Sequence, residues 1–149
     1  MILRLFFICY LFISVNNDDD GVPSFVNEFH EIKTKNQELE FISKYASSNN
    51  VSVLGYVISL RMKQAKYKFM PWDKITVFRT ERDNLEKLIK ENPSNLHLRY
   101  LRLVIQESTP KLLNYFSSIE TDKNIIKTYL QKTDKTDYLD NFIKNNTSL

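Results

Sequence analysis

Two arginines, Arg99 and Arg102, have the residue type and spacing that could bind a negatively charged group. At about 100° per residue, a helix over residues 95–106 places Asn95, Arg99, Arg102 and Gln106 in one narrow strip. The rest of this helix is apolar nearly all round, and such helices are normally buried among their neighbours. The two guanidinium groups must therefore meet water, carboxylates or a ligand, because an unpaired buried charge is very costly.

Three interpretations of this strip remain open. In the functional one, Arg99 and Arg102 clamp an anion or a carboxylate, since the guanidinium fork suits bidentate acceptors, and Gln106 adds a polar contact. In the second, the arginines form ion pairs with a neighbouring helix, for which Glu86 and Asp122 are the candidates. In the third, the strip simply faces solvent.

Three further side chains could take part in binding or catalysis. Trp72 follows Pro71. It could be an exposed aromatic residue that contacts a partner, but we favour the interpretation that it fills the gap between two helices as a plug. His30 and His97 could each pair with a carboxylate for acid–base chemistry, but no nucleophile is spaced with either of them. We expect ordinary structural histidines, no catalytic residue and no enzymatic activity.

The composition excludes several kinds of site. The 149 residues include only two glycines, which rules out glycine-rich phosphate-binding loops. The single cysteine, Cys9, rules out a cysteine-based zinc site and an intrachain disulfide. Two histidines cannot form a three-histidine metal site. We therefore predict neither a metal nor a cofactor.

The formal net charge of +3 comes from a slight excess of lysine that is spread along the chain. Nucleic-acid-binding proteins concentrate basic residues in a patch or stripe. The nearest equivalent is a loose cluster formed by Arg61, Lys63, Lys66 and Lys68, which is more typical of a solvated helix face. We predict no nucleic-acid partner.

The N-terminus has the pattern of a secretory signal peptide. Arg4 gives it a positive start, and the apolar run Leu5–Ile13 follows. This run is shorter than the roughly 20 residues that a transmembrane helix needs. We predict a signal peptide over residues 1–17 and a linker over 18–23, so the protein is expected in the periplasm or cell envelope, or outside the cell. An uncleaved membrane anchor and a buried strand of the mature chain are the alternatives.

Helical spacing of apolar residues dominates the remainder, residues 24–149, which we predict to be a single all-α domain of six to eight helices. Turn pairs that would join strands are lacking. Pro71 and Pro93 mark helix boundaries. The predicted helices begin after Ser24, at Asn36, after Ser52 (to about Phe69), after Asp73 (to Asn92), at Ser94 or Asn95 (to about Glu107), after Thr121 (to Lys132), and at Asp134 or Thr136.

Two stretches resemble known proteins. The segment Leu85–Asn95, in which Pro93 closes a helix, is similar to the end of a tetratricopeptide repeat, which implies a helical-repeat-like array. A wider stretch is similar to uncharacterised small exported proteins of Bacteroidetes bacteria. That resemblance implies a bacterial envelope protein and supplies no activity; it is carried by Leu98-Arg99-Tyr100-Leu101-Arg102, Gln106, Pro110, Tyr115 and Asp122-Lys123.

These observations favour an exported, non-enzymatic helical protein that binds another protein or a peptide in a groove between helices. The helical hairpin around Pro71 and the high aromatic content motivate this hypothesis. The alternative is a small-ligand binder or enzyme that holds an anionic group with Arg99 and Arg102. A membrane partner is expected only if the leader stays uncleaved.

Overall fold

The computed structural model describes residues 21–149 and forms seven α-helices, with no β-strand in that range. The all-α prediction is thereby confirmed. The predicted signal peptide and the first part of the predicted linker, residues 18–20, lie outside the described residues. The helices are α1 (Ser24–Glu31), α2 (Lys35–Tyr45), α3 (Val51–Lys63), α4 (Pro71–Glu91), α5 (Leu96–Ser108), α6 (Ile119–Leu130) and α7 (Asp140–Asn146).

Side-chain caps fix the start of three helices. Thr34 forms a capping box with Gln37 at the start of α2. The Asn50 side chain accepts hydrogen bonds from the first backbone N–H groups of α3, and Asn95 accepts one from the N–H of Leu98 in α5. These caps satisfy backbone donors that have no partner inside the helix.

The hairpin between α3 and α4 differs from the prediction. The first helix ends at Lys63 rather than near Phe69, because a 3-10 turn over Gln64–Tyr67 tightens its end. The second helix begins at Pro71 rather than after Asp73, since proline fits the first helical position, where its missing N–H is not needed. The predicted end before Pro93 is confirmed.

The last two helices also begin at other residues than predicted. Ser118, not Thr121, precedes α6, and α6 ends at Leu130. A 3-10 turn over Asp137–Leu139 precedes α7, so the α-helix itself starts only at Asp140. Asp134 still organises this turn, because its side chain accepts hydrogen bonds from Thr136.

Helices α3 and α5 lie at the centre of the fold. Helix α3 contacts α2, α4 and α5, and α5 also contacts α6. Gly55 permits the close approach of α3 to α5, since a Cβ at that position would lie 2.4 Å from Leu98 Cδ2. The main core includes Tyr56, Leu60 and Leu101, and a smaller cluster around Leu85 and Phe78 joins α4 to α3 and α5.

Candidate functional site

An apolar groove of about 500 Å³ lies between the central helices and the segment that follows α5. We call it the apolar groove. Its floor is formed by buried core residues such as Leu60 and Met62, whereas Ile105 and Leu113 are half-buried. The groove is lined by Phe29, Ile32, Ser59, Leu60, Met62, Lys63, Lys66, Phe78, Leu101, Val104, Ile105, Ser108, Thr109, Pro110 and Leu113.

The rim of the apolar groove carries two lysines that share one carboxylate. Lys63 Nζ and Lys66 Nζ lie 2.8 and 3.4 Å from the same oxygen of Glu38, a buried residue of α2. Gln64 Nε2 donates a further hydrogen bond to Glu38 over 2.6 Å. Burial works to raise the pKa of Glu38, but Lys63, Lys66 and Gln64 together lower it. Two ammonium groups against one carboxylate leave the rim positively charged.

The arginine strip of α5 is occupied by carboxylates of the protein itself. Arg102 Nε and Nη2 donate to the two oxygens of Asp122, over 2.6 and 2.7 Å, and Arg102 Nη1 donates to Glu86 over 2.7 Å. Arg99 Nη1 donates to Asp122 over 3.1 Å. Tyr115 donates its hydroxyl proton to Glu86 over 2.6 Å. This network joins α4, α5, α6 and the segment before α6.

The geometry of the strip matches the ion-pair interpretation. Asp122 has no exposed surface and Arg102 is 5% exposed. Burial works to lower the pKa of Arg102, but hydrogen bonding and attraction to Asp122, followed by Glu86, raise it. Both guanidinium groups are thus engaged, and neither lines the apolar groove. A free anion would have to displace Asp122.

The other two predicted contact residues have opposite environments. Gln106 is buried, and neither atom of its side-chain amide has a hydrogen-bond partner among residues 21–149. Trp72 is 62% exposed at the start of α4. The favoured interpretation of Trp72 as a plug between helices is therefore wrong, because α4 begins at Pro71 and leaves the indole outside the packed core.

The two histidines are packed against aromatic residues. His97 lies between the hydroxyls of Tyr56, 3.1 Å from Nδ1, and Tyr138, 2.9 Å from Nε2. The His30 ring stacks on Phe142 with 4.1 Å between ring centroids. Burial lowers the pKa of each histidine to about 4. Both are therefore neutral near pH 7 and serve packing and hydrogen bonding.

A second, more polar cleft of about 630 Å³ lies beside His97. Tyr138, Asn95 and Tyr129 contribute to its wall. The imidazole already has a hydroxyl partner at each nitrogen, and Tyr129 donates its proton to the backbone oxygen of Ser94 over 2.9 Å. These polar groups are engaged with one another, so the apolar groove is the better candidate site.

The sequence predicts a groove between helices but not the residues that line it. Five separate segments supply it, represented by Phe29, Met62, Phe78, Ile105 and Leu113. Four of these residues lie on α-helices at positions typical of an ordinary core, whereas Leu113 lies in a 3-10 turn. Sequence periodicity identifies apolar faces, but only the packing of the helices decides which part of a face stays uncovered.

Comparison with protein-family models, with curated proteins and with solved structures found no match. The likeness to tetratricopeptide repeats and to exported Bacteroidetes proteins therefore remains a prediction. In the part of the chain that the structure describes, no group of three His, Cys, Asp or Glu side chains is placed to hold a metal ion. Within residues 21–149, no helix combines the length and the apolar character that a membrane crossing requires.

Proposed function

We propose that this chain is an exported, non-enzymatic interaction module whose apolar groove binds a short apolar segment of another protein. The observation that carries the proposal is the groove itself, about 500 Å³ with a predominantly apolar lining. Most apolar surface of a folded domain is covered by its own chain, and concave apolar surface is the usual form of a binding site. The ion-paired arginines offer no comparable site.

The chemistry of the rim narrows the class of partner. Lys63 and Lys66 lie beside the apolar lining and share the single carboxylate of Glu38. Complementary charge improves specificity and the rate of association. The expected partner is therefore a peptide segment with several apolar side chains and an acidic residue next to them.

Selection of binding peptides from a random displayed library tests this proposal. The target is the purified protein, and the selected peptides should combine apolar residues with a flanking Asp or Glu. Leu113→Glu should abolish their binding, because the carboxylate would stand inside the groove. Leu112→Glu is the matched control, since Leu112 is the next residue in the chain but its side chain is 94% exposed and does not line the groove.

Equal loss of binding in both variants, or in neither, would contradict the proposal. Circular dichroism melting curves verify that both variants remain folded, so that lost binding reports the groove rather than unfolding. Failure to select any peptide for the wild-type protein would also count against the proposed function.

Export is the second part of the proposal. It is supported by the apolar run Leu5–Ile13 after Arg4 and by the resemblance to exported bacterial proteins. Mass spectrometry of the mature protein should give an N-terminus near residue 18, as expected after cleavage of a signal peptide. An intact Met1 on protein recovered from the cytoplasm would exclude export.

The alternative function, a binder of small anions through Arg99 and Arg102, has weaker support. An anion would have to compete with Asp122 for both guanidinium groups. A panel of anionic metabolites in a thermal-shift assay tests it. Stabilisation that Arg99→Ala abolishes would favour this alternative over the groove.

A further inference from the structure

The hairpin between α3 and α4 ends in a projecting segment, residues 66–76, which we call the hairpin tip. All eleven of its residues are exposed. Phe69 is 91% exposed, and Trp72 is also largely exposed. Tyr67, Met70 and Ile75 add further exposed apolar surface. Single exposed apolar residues are ordinary, but five of them within nine positions form a patch that requires an explanation.

The base of the hairpin tip is firmly held. Glu38 binds Lys63, Gln64 and Lys66 where α3 turns into the tip. The ammonium group of Lys66 also lies 4.5 Å from the ring centroid of Tyr67. The apolar residues are thus presented outward on an anchored turn.

The charges of the hairpin tip are mainly positive. Lys66, Lys68 and Lys74 lie within it, and Asp73 is its one acidic residue. Lys35 of α2 lies beside the tip, with its ammonium group 4.8 Å from the Tyr67 ring centroid. Two lysines therefore lie beside the Tyr67 ring, and Lys68 and Lys74 flank Phe69 and Trp72 in the sequence.

We propose that the hairpin tip inserts into the surface of a bilayer that contains anionic phospholipids. Tryptophan and other aromatic side chains favour the headgroup region, and lysines beside them attract anionic lipids. The tip is exposed at every position, so a protein partner would need a matching concave surface, whereas a bilayer deforms around the inserted residues. The tip shares only Lys66 with the lining of the apolar groove, and this attachment requires no uncleaved leader.

Trp72 is the only tryptophan of the chain, so its fluorescence reports directly on the hairpin tip. The purified protein is titrated with vesicles of phosphatidylcholine mixed with phosphatidylglycerol, and separately with vesicles of phosphatidylcholine alone. On the anionic vesicles, the emission should shift to shorter wavelength and be quenched by lipids brominated on their acyl chains. Neutral vesicles should bind much more weakly, and added salt should weaken binding to the anionic ones.

Two pairs of variants separate insertion from charge. Phe69→Ser should weaken vesicle binding about tenfold, because a large apolar side chain is lost from the bilayer. Its control, Leu112→Ser, removes an equally exposed apolar residue elsewhere and should leave binding unchanged. The double variant Lys68→Gln/Lys74→Gln should weaken binding about 25-fold, from about fivefold per lysine. Its control, Lys87→Gln/Lys90→Gln, removes the same charge from the far end of α4.

Several results would overturn this proposal. Trp72 emission that stays unchanged on anionic vesicles would do so, as would equal effects of the tip variants and their controls. A concentration-dependent dimer that forms without lipid and is lost in Phe69→Ser would assign the tip to a second copy of the chain instead. Since the groove variant Leu113→Glu leaves the tip intact, it should bind vesicles like the wild-type protein.

Discussion

Arg102 holds both carboxylate oxygens of Asp122, through hydrogen bonds of 2.6 and 2.7 Å from Nε and Nη2. Asp122 has no exposed surface, and Arg99 donates a third hydrogen bond to it. Three charged side chains thus join α5 to α6 without contact with bulk water at their centre. A buried ion pair of this kind tolerates the loss of one partner poorly, because the remaining charge stays buried.

Asp122→Asn should therefore lower the free energy of unfolding by about 3–5 kcal/mol. Glu86 also accepts a hydrogen bond from Arg102, but its side chain is 37% exposed. Glu86→Gln should cost only about 1 kcal/mol, because water can replace part of the lost interaction. Urea denaturation of both variants measures the difference. Equal losses would mean that the network is not centred on Asp122.

Gly55→Ala should destabilise the protein although alanine is the better helix former. The new Cβ would lie 2.4 Å from Leu98 Cδ2 and 3.2 Å from Leu101 Cδ1, and overpacking of this kind costs about 1–3 kcal/mol. The gain in helix propensity, about 1 kcal/mol, offsets part of this cost and leaves a net loss of up to about 2 kcal/mol in the free energy of unfolding.

A double variant provides the control for Gly55→Ala. Leu98→Ala alone leaves a cavity in the core, since Leu98 is completely buried. In Gly55→Ala/Leu98→Ala the added methyl group no longer meets the leucine side chain. The combined loss in the free energy of unfolding should thus be smaller than the sum of the single losses. Strict additivity would show that the two residues do not meet.

The two histidines should make stability depend on pH below neutrality. Burial lowers the pKa of His30 and His97 from 6.5 to about 4, so the unfolded chain binds protons that the folded chain does not. With respect to these two groups, the free energy of unfolding should be highest above about pH 6.5. It should fall as the pH drops towards 4, by up to about 1.4 kcal/mol per pH unit for each histidine. Urea denaturation at several pH values gives the slope of the free energy of unfolding against pH.

The variant His97→Gln separates this effect from that of the carboxylates. Glutamine retains hydrogen-bonding groups near Tyr56 and Tyr138 but does not titrate, so the slope between pH 6.5 and 4.5 should fall to about half. Burial works to raise the pKa values of Glu38 and Glu107, but hydrogen bonds and nearby lysines lower them overall. The effects of these two carboxylates therefore fall at lower pH than those of the histidines. An unchanged slope in His97→Gln would refute the assignment.

The sequence predicts the helices well where local signals are strong. Asn95 and Pro93 mark a boundary through capping and through the missing N–H of proline, and the structure places both at that boundary. The end of α3 is less predictable. Tyr67 and Phe69 continue the apolar character of the helix in the sequence, but the contacts of Glu38 from α2 stabilise a 3-10 turn there.

The polar residues singled out in the sequence are likewise only partly predictable from local signals. The strip of Arg99 and Arg102 follows from helical geometry alone, but the choice between a ligand and Asp122 depends on how α6 packs. The sequence favours Trp72 as a plug between two helices, but its side chain is 62% exposed. Pro71 is a local signal for the start of α4, but the exposure of Trp72 also depends on how α4 packs against its neighbours, which no local signal specifies.

Methyl NMR of the protein with a selected peptide shows directly whether the apolar groove binds a partner segment. Binding in the groove should change the chemical shifts of the methyl groups of Leu60, Leu101, Ile105 and Leu113, which line it. Leu112 should stay unchanged. Changes confined to methyl groups outside the groove, with those four unaffected, would show that the peptide binds elsewhere and that the groove is not the binding site.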